Sequence, residues 1–164
     1  MSEPAMSEPH TATPADTPQP TAASLRVSAM NLLARREHSA EELRQKLTRY
    51  SDDELLIEQV VARLGADNLQ SDERYVEAFV AMRKRQGKGP LRVQQELKQK
   101  GVAGELIAAY LDTSDSLWWD LAEEVRQRRF GSEQPADLKG KARQVRFLQY
   151  RGFTSEQIMG LFRS

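Results

Sequence analysis

A chain of 164 residues and 18.6 kDa has room for one domain or a short array of repeats. Its 24 Lys and Arg balance 24 Asp and Glu, and 39% apolar against 29% charged residues is polar yet too rich in core formers for a wholly disordered chain. With no cysteine and only two histidines, His10 and His38, the sequence excludes disulfides, thiolate metal sites, a cysteine nucleophile and a multi-histidine metal centre.

Residues 1–24 hold five of the seven prolines, no Leu, Ile, Val or aromatic residue, and three acids, Glu3, Glu8 and Asp16. Such a segment buries too little to offset its ordering entropy, so a disordered tail is expected, with His10 inside it and not a ligand. It lacks the basic-then-apolar pattern of a secretory signal. No later apolar run approaches the roughly 20 residues that span a bilayer. A cytoplasmic protein without membrane contact is expected.

From there on the apolar residues follow helical spacing. Helices are predicted near 25–36, 40–49, 53–64, 72–86, 90–100, 103–111, 115–129, 137–150 and 154–162. Ser39 and Glu42 form a capping box, as do Thr154 and Gln157. Asp52 or Asp53 caps the third helix. Pro90 suits a first helical position, and Gly101 and Gly152 sit where helices end. The start at Val102-Ala-Gly104 is weaker, having no side-chain cap.

Shifted by 50, the chain matches itself: Leu32 meets Met82, Leu43 meets Val93, Leu47 meets Leu97 and Ile57 meets Ile107. Shifted by 51, Leu97 meets Leu148, Gly101 meets Gly152 and Ile107 meets Ile158. The predicted fold is all-α: three tandem three-helix repeats at 25–70, 71–113 and 114–164, stacked into an elongated, curved array.

Charge alternates along this array. Residues 25–50 are net +3, 51–78 net −6, 79–101 net +6, 102–125 net −6 and 126–152 net +6. Repeats stacked in register align like charges, giving a neutral protein a basic stripe suited to a polyanion. The densest cluster holds Arg83, Arg85, Lys88 and Arg92, continued by Lys98 and Lys100. A second holds Arg126, Arg128, Arg129, Lys139, Lys141, Arg143 and Arg146. Arg83, Arg85 and Lys88 are read as surface positions, so reversing the charge of all three together should leave folding nearly intact.

No catalytic constellation emerges. Gly87-Lys88-Gly89-Pro90 lacks the spacing and the Ser or Thr of a phosphate-binding loop, and no nucleophile or zinc motif occurs. The adjacent acids Asp52, Asp53 and Glu54, or Glu123 and Glu124, do not face one another on a helix. His38 reads as a surface loop residue. Of the adjacent Trp118 and Trp119, one packs and the other is partly exposed or lies between units. Tyr150 and Phe153 are expected to pack a helix corner. No enzyme activity, cofactor or metal is expected.

Three stretches, in order and spaced alike, resemble the RecX family, bacterial regulators of the RecA recombinase. They are Leu32–Leu47, with Arg35-Arg36-Glu37-His38-Ser39; Asp72–Val80, running through Gly87-Lys-Gly-Pro-Leu-Arg92 to Gly101; and Arg146-Phe-Leu-Gln-Tyr-Arg-Gly-Phe153. The resemblance covers about residues 25–162. It implies three three-helix repeats and a protein that lies along the RecA–single-stranded DNA filament. Such a protein lowers ATP hydrolysis and strand exchange, and damps recombination and the SOS response. Expected partners are the filament and single-stranded DNA, with double-stranded DNA bound more weakly, and the protein is expected to act as a monomer. The expected contacts are Arg83, Arg85, Lys88, Arg92, Lys98 and Lys100, followed by Arg143 and Arg146. A stand-alone helical DNA-binding module and a helical scaffold for an acidic protein remain open.

Overall fold

The structure, a computed structural model, describes residues 20–162. Residues 1–19 of the expected tail lie outside the described residues. Nine α-helices follow one another among them: α1 (Ala22–Arg35), α2 (Ala40–Leu47), α3 (Glu54–Ala66), α4 (Asp72–Arg85), α5 (Pro90–Gln99), α6 (Gly104–Tyr110), α7 (Ser116–Phe130), α8 (Leu138–Arg151) and α9 (Ser155–Gly160). The all-α expectation is met, and every helix pair in extensive contact belongs to one of three consecutive triplets.

Local chemistry sets the helix ends. Ser39 and Thr154 form the two expected capping boxes, Asp53 caps α3, and Pro90 opens α5. α1 begins within the segment read as tail. There the Thr21 hydroxyl accepts from the Ser24 N–H at 3.1 Å, and the Thr21 N–H donates to Ser24 Oγ at 2.9 Å. A Thr-x-x-Ser box lacks the Glu or Gln of the usual pattern, which hides it from sequence reading. α6 starts at Gly104 with no side-chain cap, as its weak start suggests.

Each triplet encloses its own core. Leu25, Leu43, Leu47, Ile57 and Leu64 build the first. Tyr75, Phe79, Val93, Leu97 and Ile107 build the second, which Trp118 joins from α7. Ala122, Leu148, Phe153 and Ile158 build the third. Trp118 donates its indole N–H to the Asp112 carbonyl at 2.9 Å, which ties α7 to the second unit. Trp119 is half-buried and packs over Gly160, where a Cβ would strike its ring.

The units join through their second helices, end to end. At the α8 terminus, the Arg151 carbonyl accepts from the Gly89 N–H at 2.8 Å and the Gly152 carbonyl from the Leu91 N–H at 2.9 Å. At the α5 terminus, the Lys100 carbonyl accepts from Ser39 Oγ at 2.8 Å. C-terminal carbonyls left over by one helix thus satisfy N-terminal donors of the next. The approach is close enough to demand glycine. Gly152 has φ +99° and a Cβ there would strike Arg92; Gly101 has φ +76° and a Cβ would sit 2.5 Å from Glu41 Cβ. The two contacts are the same joint repeated 51 residues apart.

Gly152→Ala is therefore expected to cost at least about 1–2 kcal/mol from its backbone conformation alone, with the collision added. Gly104→Ala, in open space, should be near neutral. Leu97→Ala, fully buried in the second core, should cost about 2–5 kcal/mol. Urea unfolding of the three variants measures these differences.

Candidate nucleic-acid interface

The cations of the second unit do not stand free side by side. Arg83 reaches from α4 to Glu96 on α5, with Nε 2.7 Å from Oε2, and its guanidinium lies 4.9 Å from the centre of the Phe79 ring. Arg92 approaches the same carboxylate at 3.3 Å, one helical turn away. The single acid in the basic block therefore fixes two of its cations. Arg83 is half-buried, so the expectation that its charge can be reversed with little effect on folding is corrected: a glutamate there would face Glu96 in a partly desolvated site.

Lys88 is half-buried in the turn between α4 and α5. Burial and the neighbouring cations Arg92, Arg151 and Arg83 hold its ammonium below the ordinary lysine range. Arg85 and Lys98 are exposed, as are Arg143 and Arg146 on α8, and none of these four has an acidic partner within ion-pair distance among the described residues. The second cluster loses one member. Arg126 is only 1% exposed, pairs with Glu123 at 2.7 Å and touches Gln144, so it is structural.

The joint between the first two units holds a polar knot. Glu42 is pulled two ways: burial opposes its ionisation, but bonds from Arg36 and the Ser39 N–H, with Lys100 nearby, outweigh this and bring its carboxyl down to about 2. Arg36 grips it with two nitrogens at 2.9 and 3.2 Å, and Lys100 stands at 3.6 Å. Arg36, Arg83, Arg85 and Lys100 line one groove of about 380 Å³ with the aromatic rings of Tyr75 and Phe79 at its base. The sequence reading placed Arg83, Arg85 and Lys100 in one cluster but missed Arg36, which comes from the preceding unit.

His38 is also corrected. It is buried, at 2% exposure, rather than exposed on a surface loop. Its ring bridges the Arg36 carbonyl (Nδ1, 3.0 Å) and Lys46 Nζ (Nε2, 3.0 Å), an arrangement suited to the neutral form with the proton on Nδ1. Its own carbonyl accepts from Gln70 Nε2. Tyr150 is corrected as well: it does not pack a corner but stands 77% exposed, while Phe153 is buried as expected.

Among the described residues no group of His, Asp and Glu is placed to hold a metal ion, and no helix is long and apolar enough to cross a membrane. Three-helix units in tandem, jointed end to end and carrying cations beside the joints, define a helical-repeat protein. The chain belongs to the RecX family. Models of the first, second and third RecX three-helix domains match residues 26–64, 71–111 and 115–161. It is 43% identical over 135 residues to Regulatory protein RecX of Halorhodospira halophila (82% of this chain, 84% of that one). It is 42% identical over 138 residues to Regulatory protein RecX of Pseudomonas entomophila (84% and 89%). The crystal structure of RecX from Lactobacillus salivarius has the same fold, with a TM-score of 0.70 at 19% identity over 85% of this chain and 93% of that one.

The His38 environment makes a pH prediction. Burial lowers its pKa from 6.5; the bond to the Arg36 carbonyl opposes this, while the Arg36 and Lys46 cations add to it. Below about pH 6.5 the unfolded chain takes up a proton that the folded chain resists, so stability falls as the pH drops. Urea midpoints measured from pH 7.5 to 5.5 should decline more steeply for the native chain than for His38→Gln. Equal slopes would mean that His38 titrates normally.

Proposed function

We propose that this protein binds the RecA–single-stranded DNA filament and restrains it, lowering ATP hydrolysis and strand exchange and so damping recombination and the SOS response. One observation carries this reading: all three RecX three-helix domains match in order along a chain 43% identical to a protein named Regulatory protein RecX. The geometry supplies a means. The filament is a long polyanion, and end-to-end joints set successive cationic surfaces one helix apart, about 15 Å for the ten residues of α5. The protein acts as a monomer in the cytoplasm, by binding rather than by catalysis.

Arg85, Lys98, Arg143 and Arg146 are the contacts that can change without disturbing the fold. Arg83, Arg92 and Lys100 serve binding while held in place by Glu96 and Glu42, and Lys88 is half-buried in the turn beside them.

Titrating the protein into RecA hydrolysing ATP on single-stranded DNA should slow hydrolysis in a dose-dependent way. Inhibition saturating well below one molecule per recombinase indicates action at filament ends, and inhibition needing near-equal amounts indicates coating of the groove. Changing Arg85, Lys98, Arg143 and Arg146 together to Ala should leave the melting temperature nearly unchanged. It should raise the amount needed for half-inhibition on the order of ten-fold, with a weaker salt dependence. Undiminished hydrolysis in the presence of the folded native chain, using the recombinase of the same organism, would overturn the proposal.

A further inference from the structure

Where α8 meets α5, the joint between the second and third units opens into a groove of about 440 Å³. One wall is Tyr150 and Gln149 at the end of α8; the other is Leu91, Gln95 and Gln99 along α5, with Arg92 between them. Tyr150 is two positions beyond the core residue Leu148 and so faces outward. Its ring is steadied on one side by Arg92, whose guanidinium lies 5.7 Å from the ring centre. Its hydroxyl has no hydrogen-bond partner among the described residues, and the fold makes no evident use of its exposed ring.

The surroundings describe what the ring could take. Gln95, Gln99 and Gln149 are exposed, and their amides make no side-chain hydrogen bonds among the described residues. Each offers a donor and an acceptor without charge. The one acid lining the groove, Glu96, is occupied by Arg83 and Arg92. Arg146 and Arg143 precede Tyr150 by one and two turns on α8, both exposed, and form a cationic rail leading to the ring. An aromatic face, uncharged amides at its edge and cations leading up to it suit an unpaired nucleobase with its phosphates on the rail.

We propose that this groove is a base-stacking site for single-stranded nucleic acid, with Tyr150 as the platform, Arg92 holding it and Arg143 and Arg146 taking phosphates. The inference deepens the filament reading, on which it rests, by naming a direct contact with an unstacked base. A duplex, whose bases are already stacked on one another, gains nothing from the ring.

Fluorescence anisotropy with a labelled oligothymidylate and the full chain tests it. Tyr150→Ala should bind on the order of ten-fold more weakly, with the slope of affinity against salt unchanged because no cation is lost. Tyr150→Phe should bind like the native chain. Arg146→Ala should instead reduce the salt slope by about 0.7. Binding to a duplex of the same length should not respond to Tyr150→Ala. Native affinity in Tyr150→Ala, or no affinity of the native chain for the oligothymidylate, would overturn the stacking site. ATP hydrolysis by RecA, followed with the same proteins, separates this failure from that of the parent reading. If the native chain inhibits and Tyr150→Ala binds the oligothymidylate normally but has lost inhibition, the ring touches recombinase and the stacking inference falls alone. If the native chain fails to inhibit, the filament reading falls with it.

Discussion

Everything in this fold depends on how closely one helix end can approach the next. The carbonyls at the C-terminal end of α8 meet the amides that open α5, and the Lys100 carbonyl at the end of α5 meets the Ser39 hydroxyl at the start of α2. The partial negative charge of one terminus thus faces the partial positive charge of the next, and at the α8–α5 joint orphan backbone groups satisfy one another. The geometry admits no Cβ at Gly152 or Gly101. It also accounts for a difference between the joints. At Gly89, which has no side chain, backbone meets backbone; in the first joint the Ser39 hydroxyl spans the corresponding gap.

The same joints organise the charges. Two of the basic surfaces are built around a shared acid: Glu96 holds Arg83 and Arg92, and Glu42 holds Arg36 and Lys100. A carboxylate shared by two cations leaves a net positive site whose geometry is fixed before any ligand arrives, which lowers the ordering cost of binding. The unpaired cations Arg85, Lys98, Arg143 and Arg146 supply adjustable charge around these fixed points. In the proposed filament contact, long-range attraction and short-range geometry would thereby be divided between two sets of residues.

The fold was legible because its signals are local. Capping boxes, Pro90, the glycines at helix ends and the core spacing each depend on neighbours within one turn. Arg126 and Tyr150 were legible too, though misread: Arg126 is four residues after the core Ala122, and Tyr150 is two after the core Leu148. Helical geometry puts the first on the buried stripe and the second opposite it. His38, Arg36 and the Arg83–Glu96 pair were not. Their surroundings are assembled by residues from other helices, as when Lys46 reaches back to His38 and Lys100 reaches across from the next unit to Glu42. The resemblance to the family reached the family of regulatory proteins sooner than any individual residue did, because no single side chain identifies it.

The two joints differ in what they share. The first is held by hydrogen bonds and ion pairs: Asp72 accepts from the Ala40 N–H, Arg74 binds Glu37, and Ser39 and Glu42 engage the Lys100 turn. The second also shares apolar surface, because Trp118 enters the core of the preceding unit and Leu121 borders both cores. In a linear array, cooperativity is carried by the interfaces between neighbours. The apolar surface shared through Trp118 and Leu121 couples units two and three more tightly than polar contacts alone couple unit one to unit two, so the coupling along the array is uneven.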